Sequence, residues 1–159
     1  MTTMTELATP EARDVGRLAA QLDIRTRAWI DGKAVDAASG ETFARSNPAT
    51  GVEIARVAAC DAADVDAAVR GARAVFESGV WAHAAPQARK KVLVRFAELI
   101  EQHADELALL ETLDMGKPIR DSRSVDVPLA AQCISYYGEA IDKVYDEVAP
   151  TDPSAVVLV

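Results

Sequence analysis

The sequence predicts an α/β chain in which a short N-terminal β element, opened by a hairpin, is followed by four or five helices. Three observations carry that expectation. The pair Asp31-Gly32 sits between β-prone runs, apolar residues recur at helical spacing after residue 60, and caps and breakers divide the later residues into separate helices.

At 159 residues, with 50% apolar and 26% charged side chains, the chain has the length and balance of one folded domain. Its apolar content is dominated by alanine and only 5% of residues are aromatic, which favours thin helices that bury little area per residue. The net charge of −8 and pI near 4.7 argue against a phosphate-neutralising surface, so no nucleic-acid partner is expected. No run approaches the roughly 18 to 20 apolar residues that span a bilayer, and residues 1–8 lack the basic and apolar regions of an export signal. Neither a membrane nor export is expected, and the cytoplasm is the expected location.

The elements follow in order. Residues 11–22 carry Val15, Leu18, Ala19 and Leu22 at helical spacing, giving a short leader helix within a leader of residues 1–24. The β element occupies residues 25–58. In it, Asp31-Gly32 supplies the positive φ angles of a type I′ turn between residues 28–30 and 33–35. An extended piece at residues 42–46 leads to the turn cluster Asn47-Pro48-Ala49-Thr50-Gly51, and Ile54 and Val57 mark a strand over residues 52–58.

A helical part follows over residues 59–148. Asp61 caps the first helix, Asp64 acidifies its first turn, and Val65, Val69, Ala72 and Phe76 form its stripe before Gly79 ends it. Pro86 opens the second, with Val92, Leu93, Phe96, Leu99 and Ile100 inward and Arg89, Lys90, Lys91 and Arg95 on a solvated face. The third covers residues 105–115 with Leu107, Leu110 and Leu113 inward, closed by Gly116 and stopped by Pro118. Ser124 caps a long helix to about residue 147, striped by Val125, Leu129, Cys133, Tyr136, Ala140 and Val144. Residues 149–159 read as a loop and the start of a strand. An apolar β-prone run left as a bare edge invites pairing, so truncation is the expected reason it stops at Val159.

Side chains able to do chemistry are sparse. Cys133, in mid-helix on the apolar stripe, reads as an inert small hydrophobe, and Cys60 lies beside Asp61, which opposes a thiolate. The two cysteines fit neither a disulfide framework nor a metal-ligand spacing. His83 and His103 share no ligand spacing, and no glycine-rich phosphate loop occurs.

The ordered words of the chain say more. Residues 43–51 (Phe-Ala-Arg-Ser-Asn-Pro-Ala-Thr-Gly), residues 64–69 (Asp-Val-Asp-Ala-Ala-Val) with Ala72-Arg73 and Phe76, residues 110–118 (Leu-Glu-Thr-Leu-Asp-Met-Gly-Lys-Pro) and Tyr136-Tyr137 come in a fixed order and spacing. In these the chain from residue 25 to 159 resembles the N-terminal third of the aldehyde dehydrogenase family. Residues 103–121 and 139–145 are similar to the branch that oxidises γ-glutamyl-γ-aminobutyraldehyde and related aminoaldehydes of putrescine breakdown.

The resemblance implies an NAD(P)-dependent oxidation of an aldehyde to a carboxylic acid. In that chemistry a cysteine thiolate attacks the aldehyde, hydride passes to nicotinamide, and a glutamate-activated water releases the thioester. The cysteine, the glutamate, the oxyanion asparagine and the cofactor loop of such enzymes have no counterparts in this chain, so no catalytic or cofactor-binding residue is carried over and the chain alone is expected to be inactive. Three lesser roles are implied. Backbone carbonyls of Arg45 and Ser46, with Asp114, would hold a monovalent cation. Val125 and Leu129 would line the aldehyde tunnel, with Asp126 a carboxylate for an aminoaldehyde. Residues 154–159 would begin an oligomerisation strand, giving a homo-oligomer, dimer or tetramer. The alternative reading is a non-catalytic interaction module that binds partner subunits through an exposed strand and helix faces.

Overall fold

The computed structural model describes residues 17–20 and 22–143. Of the leader helix, residues 17–19 are helical and the earlier part lies outside the described residues, as does the strand expected at residues 154–159. The described elements are four short strands and then helices, in the order expected.

Strands β1 (Ala28–Ile30) and β2 (Lys33–Val35) pair antiparallel with Ala28 opposite Val35. Asp31 at φ 50° and Gly32 at φ 71° turn the chain between them, the left-handed pair a two-residue I′ hairpin requires. Strands β3 (Thr42–Ser46) and β4 (Glu53–Ala58) form a second, separate two-stranded sheet, with a bulge between Arg45 and Ser46. Their loop is closed by Asn47, whose side chain accepts from the Ala49 amide at 2.8 Å and whose carbonyl accepts from Gly51 at 2.7 Å. The Ala58 amide donates to the Thr26 carbonyl at 2.9 Å and so ties this sheet to the segment entering β1.

Helix α1 (Ala62–Ser78) begins at a reciprocal cap: the Asp61 carboxylate accepts from the Ala63 amide and the Asp64 carboxylate accepts from the Asp61 amide. Gly79, at φ 70°, ends it. The stripe written for burial is not buried among the described residues, since Val65, Val69 and Phe76 are all more than half exposed. The turn of the hairpin is what α1 meets, close to Gly71, where a Cβ would lie 3.6 Å from that of Asp31.

The core lies between α2 (Pro86–Gln102), α3 (Ala104–Met115) and α5 (Val127–Ala140). Here the apolar spacing picked out the packed face of α3 and part of that of α2, and missed that of α5. On α2 the inward residues are Leu93, Val94, Ala97 and Ile100, while Val92, Phe96 and Leu99 are exposed. On α3 the buried residues are Ala108, Leu109, Thr112 and Leu113, with Leu107 and Leu110 half-buried. On α5 they are Val127, Ala131 and Gly138, while Leu129, Cys133 and Tyr136, and Val125 just before the helix, are exposed. The reason is steric. A Cβ at Gly138 would stand 3.1 Å from the Leu93 Cβ and 3.4 Å from the Val94 Cγ2, so α5 presents a small residue where Leu93 and Val94 of α2 come against it.

The basic face of α2 is also only partly solvated. Arg89 and Lys90 are half-buried, and Lys90 reaches Glu139 at 2.6 Å and Asp142 at 3.7 Å across the α2–α5 joint. Ser124 is not a cap. The chain runs from the single turn α4 (Ile119–Asp121) through a π-helical stretch, Ser122–Asp126, directly into α5. Pro128 explains the widening: it lacks an amide and its ring crowds the carbonyl four residues back, and a π turn makes room. The Ser124 hydroxyl instead donates to the Arg120 carbonyl at 2.7 Å.

Candidate functional site

The two most distinctive words of the sequence meet in space. Gly116, in the left-handed conformation at φ 73°, closes α3 by donating its amide to the Thr112 carbonyl at 2.9 Å. A Cβ there would fall 2.8 Å from Pro48 Cγ and 3.4 Å from the Ala49 nitrogen, so the Asn-Pro turn is seated directly on the end of α3. Only a glycine admits both the backbone angle and the neighbour.

Beside that contact, Arg45 and Asp114 come together as expected, but through the arginine side chain. The Arg45 Nε donates to the Asp114 carboxylate, and Nη2 donates to the Asp114 carbonyl oxygen at 3.3 Å. The hydrogen bond with Asp114 holds Arg45 above its ordinary pKa, and its counterpart with Arg45 holds the Asp114 carboxyl below the usual carboxylate range. Both side chains remain nearly half exposed. Ser46 lies at the bulge next to Arg45. The guanidinium on one carboxylate oxygen offsets the charge that Asp114 would offer a cation. Among the described residues no cluster of three or more histidine, cysteine or acidic side chains could hold a metal.

The residues assigned to the aldehyde tunnel divide between two surfaces. Val125 and Leu129 are more than half exposed. Asp126 lines a different surface, a cleft of about 830 Å³ between the segment at Asp23 to Arg25, α2, α3 and the start of α5, floored by Phe96, Leu107 and Leu110. There the Asp126 carboxylate accepts from Lys117 Nζ, and that hydrogen bond raises the Lys117 pKa. A cation of the chain itself therefore already occupies the carboxylate. His103, on the rim of the same cleft, meets Glu106 at 3.2 Å, one helical turn along, a pairing that His103's missing ligand spacing gave no reason to expect. Cys60 and Cys133 are both free thiols on exposed residues.

Two buried polar contacts were not legible as such. Asp64 is 6% exposed and accepts from two amides, that of Asp61 at 3.0 Å and that of Ala38 at 2.9 Å, so one carboxylate fastens the loop after β2 to the start of α1. The spacing Asp61-x-x-Asp64 of a capping box was the available signal. Thr112 and Ser122 share a hydroxyl hydrogen bond of 3.1 Å in the core, between α3 and the π-helical stretch.

Comparison with known proteins agrees with this arrangement. The aldehyde dehydrogenase family model matches residues 34–159. Aminoacetaldehyde dehydrogenase of Pseudomonas aeruginosa is 48% identical over 156 residues, which cover 98% of this chain and 31% of that protein. The crystal structure of γ-glutamyl-γ-aminobutyraldehyde dehydrogenase from Burkholderia cenocepacia superposes with a TM-score of 0.85 at 54% identity, covering 88% of this chain and 28% of that one. Indole-3-acetaldehyde dehydrogenase of P. syringae, solved in complex with NAD+ and IAA, superposes with a TM-score of 0.86 at 53% identity, over 94% of this chain and 30% of that one. The chain thus spans about three tenths of the length of the relatives it matches. With the Asn-Pro turn and the Gly-Lys-Pro segment joined in one contact, and a family match over most of its length, the chain belongs to the aldehyde dehydrogenase family.

Proposed function

We propose that this chain serves as the N-terminal scaffold of an NAD(P)-dependent aldehyde dehydrogenase that oxidises an aminoaldehyde to a carboxylic acid. The observation that carries the reading is the seating of the Asn-Pro turn on Gly116, supported by near 50% identity to two aminoaldehyde dehydrogenases. Residues 25–58 and 59–148 then belong to the dinucleotide-binding domain. NAD or NADP would supply the hydride acceptor. This chain's own residues do no bond-making: they position elements and form one wall of the tunnel, at Val125 and Leu129. A substrate amine would find Asp126 only by displacing Lys117. A monovalent cation at the β3–α3 joint would be left with the main-chain carbonyl oxygens of Arg45 and Ser46, because the Asp114 carboxylate is engaged. A homo-oligomer, dimer or tetramer, and a cytoplasmic location complete the reading and rest on family membership.

The test is a chimera in which this chain replaces the matching segment of the P. aeruginosa enzyme. The chimera is expected to reduce NAD+ with aminoacetaldehyde or 4-aminobutyraldehyde, and Leu129→Phe in it to raise KM for the bulkier aldehyde more than for the smaller. The 159-residue chain alone is expected to reduce none. A folded chimera without activity would overturn the assignment.

The second reading, a module that binds partner subunits, is favoured by one observation. Val65, Val69 and Phe76 on α1 and Leu129, Tyr136 and Tyr137 on α5 are apolar or aromatic and more than half exposed. Titrating the isolated chain into a full-length relative separates the two, since only the module reading expects saturable binding.

A further inference from the structure

We propose that Arg45 is the built-in cation of the joint between the β3–β4 turn and the C-terminus of α3, and that the joint needs no monovalent metal ion. This rests on the family reading above, which is what raises a metal ion at these residues. It departs from that reading in assigning the charge to a side chain.

A helix C-terminus carries partial negative charge on carbonyl oxygens that have no intrahelical donor. α3 adds the Asp114 carboxylate to that end and places no basic residue in its last turn. Lys117, the next cation along the chain, is turned away and spent on Asp126. The end of α3 is therefore acidic with no compensation from its own sequence. Arg45 supplies it from a distance of 69 residues, and it does so at two levels. Nε takes the carboxylate, and Nη2 takes the main-chain carbonyl of the same residue, so one planar fork binds both the side chain and the backbone of Asp114.

Placement reinforces the point. The bulge between Arg45 and Ser46 lies where the strand leaves its ladder, immediately before the Asn47 turn that Gly116 receives. The guanidinium and the Pro48 contact are thus two attachments of the same loop to the same helix end. A metal ion recruiting Asp114 would have to share the carboxylate with a fixed positive charge that never dissociates from the chain. At the pH of any cell that charge is present, because a guanidinium does not lose its proton in that range.

The experiment measures the thermal midpoint of the chain in chloride salts of potassium, sodium and choline at one ionic strength, for the native sequence, Arg45→Met and Arg45→Lys. Amide hydrogen exchange at Gly51 and Gly116 is read alongside as a local measure that does not depend on a cooperative melt. The native chain is expected to show the same midpoint and the same protection in all three salts. Arg45→Met should lower the midpoint by a few degrees and raise exchange at both glycines, and Arg45→Lys should recover part of the loss. A saturable rise in the native midpoint or protection with potassium or sodium over choline would overturn the proposal. So would an Arg45→Met chain indistinguishable from the native one. The family reading is tested separately by the activity of the chimera, which neither outcome prejudges.

Discussion

Replacing Gly116 by alanine tests the central contact of the structure. Two costs are expected. The first is conformational: alanine at φ 73° sits in the left-handed region, at about 1 kcal/mol. The second is steric: the new Cβ would lie 2.8 Å from Pro48 Cγ and 3.4 Å from the Ala49 nitrogen, and a proline ring cannot rotate away. Overpacking of this kind costs about 1–3 kcal/mol, for a total of about 2–4 kcal/mol. Gly40 provides the control. It has nearly the same angle, φ 72°, but nothing within 4 Å of its would-be Cβ, so Gly40→Ala should lose about 1 kcal/mol and no more. Gly79 is intermediate: His83 Nδ1 stands 2.4 Å from its would-be Cβ, but that ring belongs to an exposed side chain free to swing aside. Urea unfolding followed by circular dichroism would give the three differences, provided the slopes agree. If Gly116→Ala and Gly40→Ala cost the same within about 0.5 kcal/mol, the Asn-Pro turn is not seated as described and the reasoning fails.

Three further outcomes are expected. Asp64→Ala should cost about 2–4 kcal/mol in the same unfolding assay, since it strands the amides of Ala38 and Asp61 in a nearly buried setting, whereas Asp64→Asn, which keeps one acceptor, should cost distinctly less. Thr112→Val should cost about 1–3 kcal/mol by leaving the buried Ser122 hydroxyl unpaired; adding Ser122→Ala should then cost little more, a coupling that a double-mutant cycle would measure and strict additivity would contradict. Acid stability should depend on Arg45. The Asp114 pKa is lowered on folding by the Arg45 hydrogen bond, so its contribution is present above the unfolded value of 3.8 and lost as the pH falls through the folded value. Arg45→Met should therefore flatten the loss of stability below about pH 4, and identical acid profiles would show that the pair does not form in solution.

Local chemistry made the order of elements legible. The Asp-Gly turn, the Asn-Pro-x-x-Gly loop, the Asp61 cap and the Gly116-Pro118 stop each act within a few residues, and each element they bound is found close to where they put it. Facing was less legible because it is set between elements. Phe96 and Leu99 on α2 repeat at helical spacing yet are exposed, and the packed faces combine the small Ala97, Ala108, Ala131 and Gly138 with Leu109, Leu113 and Val127. In an alanine-rich chain, close helix crossings use small residues beside large ones. Periodicity counts only the large ones, so on α2 it mixed exposed Phe96 and Leu99 with inward Leu93 and Ile100, and on α5 it missed Ala131 and Gly138.

The same distinction explains the site. Asp114 and Arg45 were singled out from motif words, and the structure does join them, but a motif records which residues stand near one another and not which atom of each is used. Arg45 had been read through its carbonyl; the joint uses its guanidinium, because a helix end holding an extra carboxylate and no basic residue attracts the nearest cation the fold delivers. Asp126 follows the same logic, paired with Lys117. For both acids the negative charge is answered from within the chain. Val125 and Leu129 are apolar, more than half exposed and answered by no such partner, which is why the proposed tunnel wall is placed on them and not on the carboxylate between them.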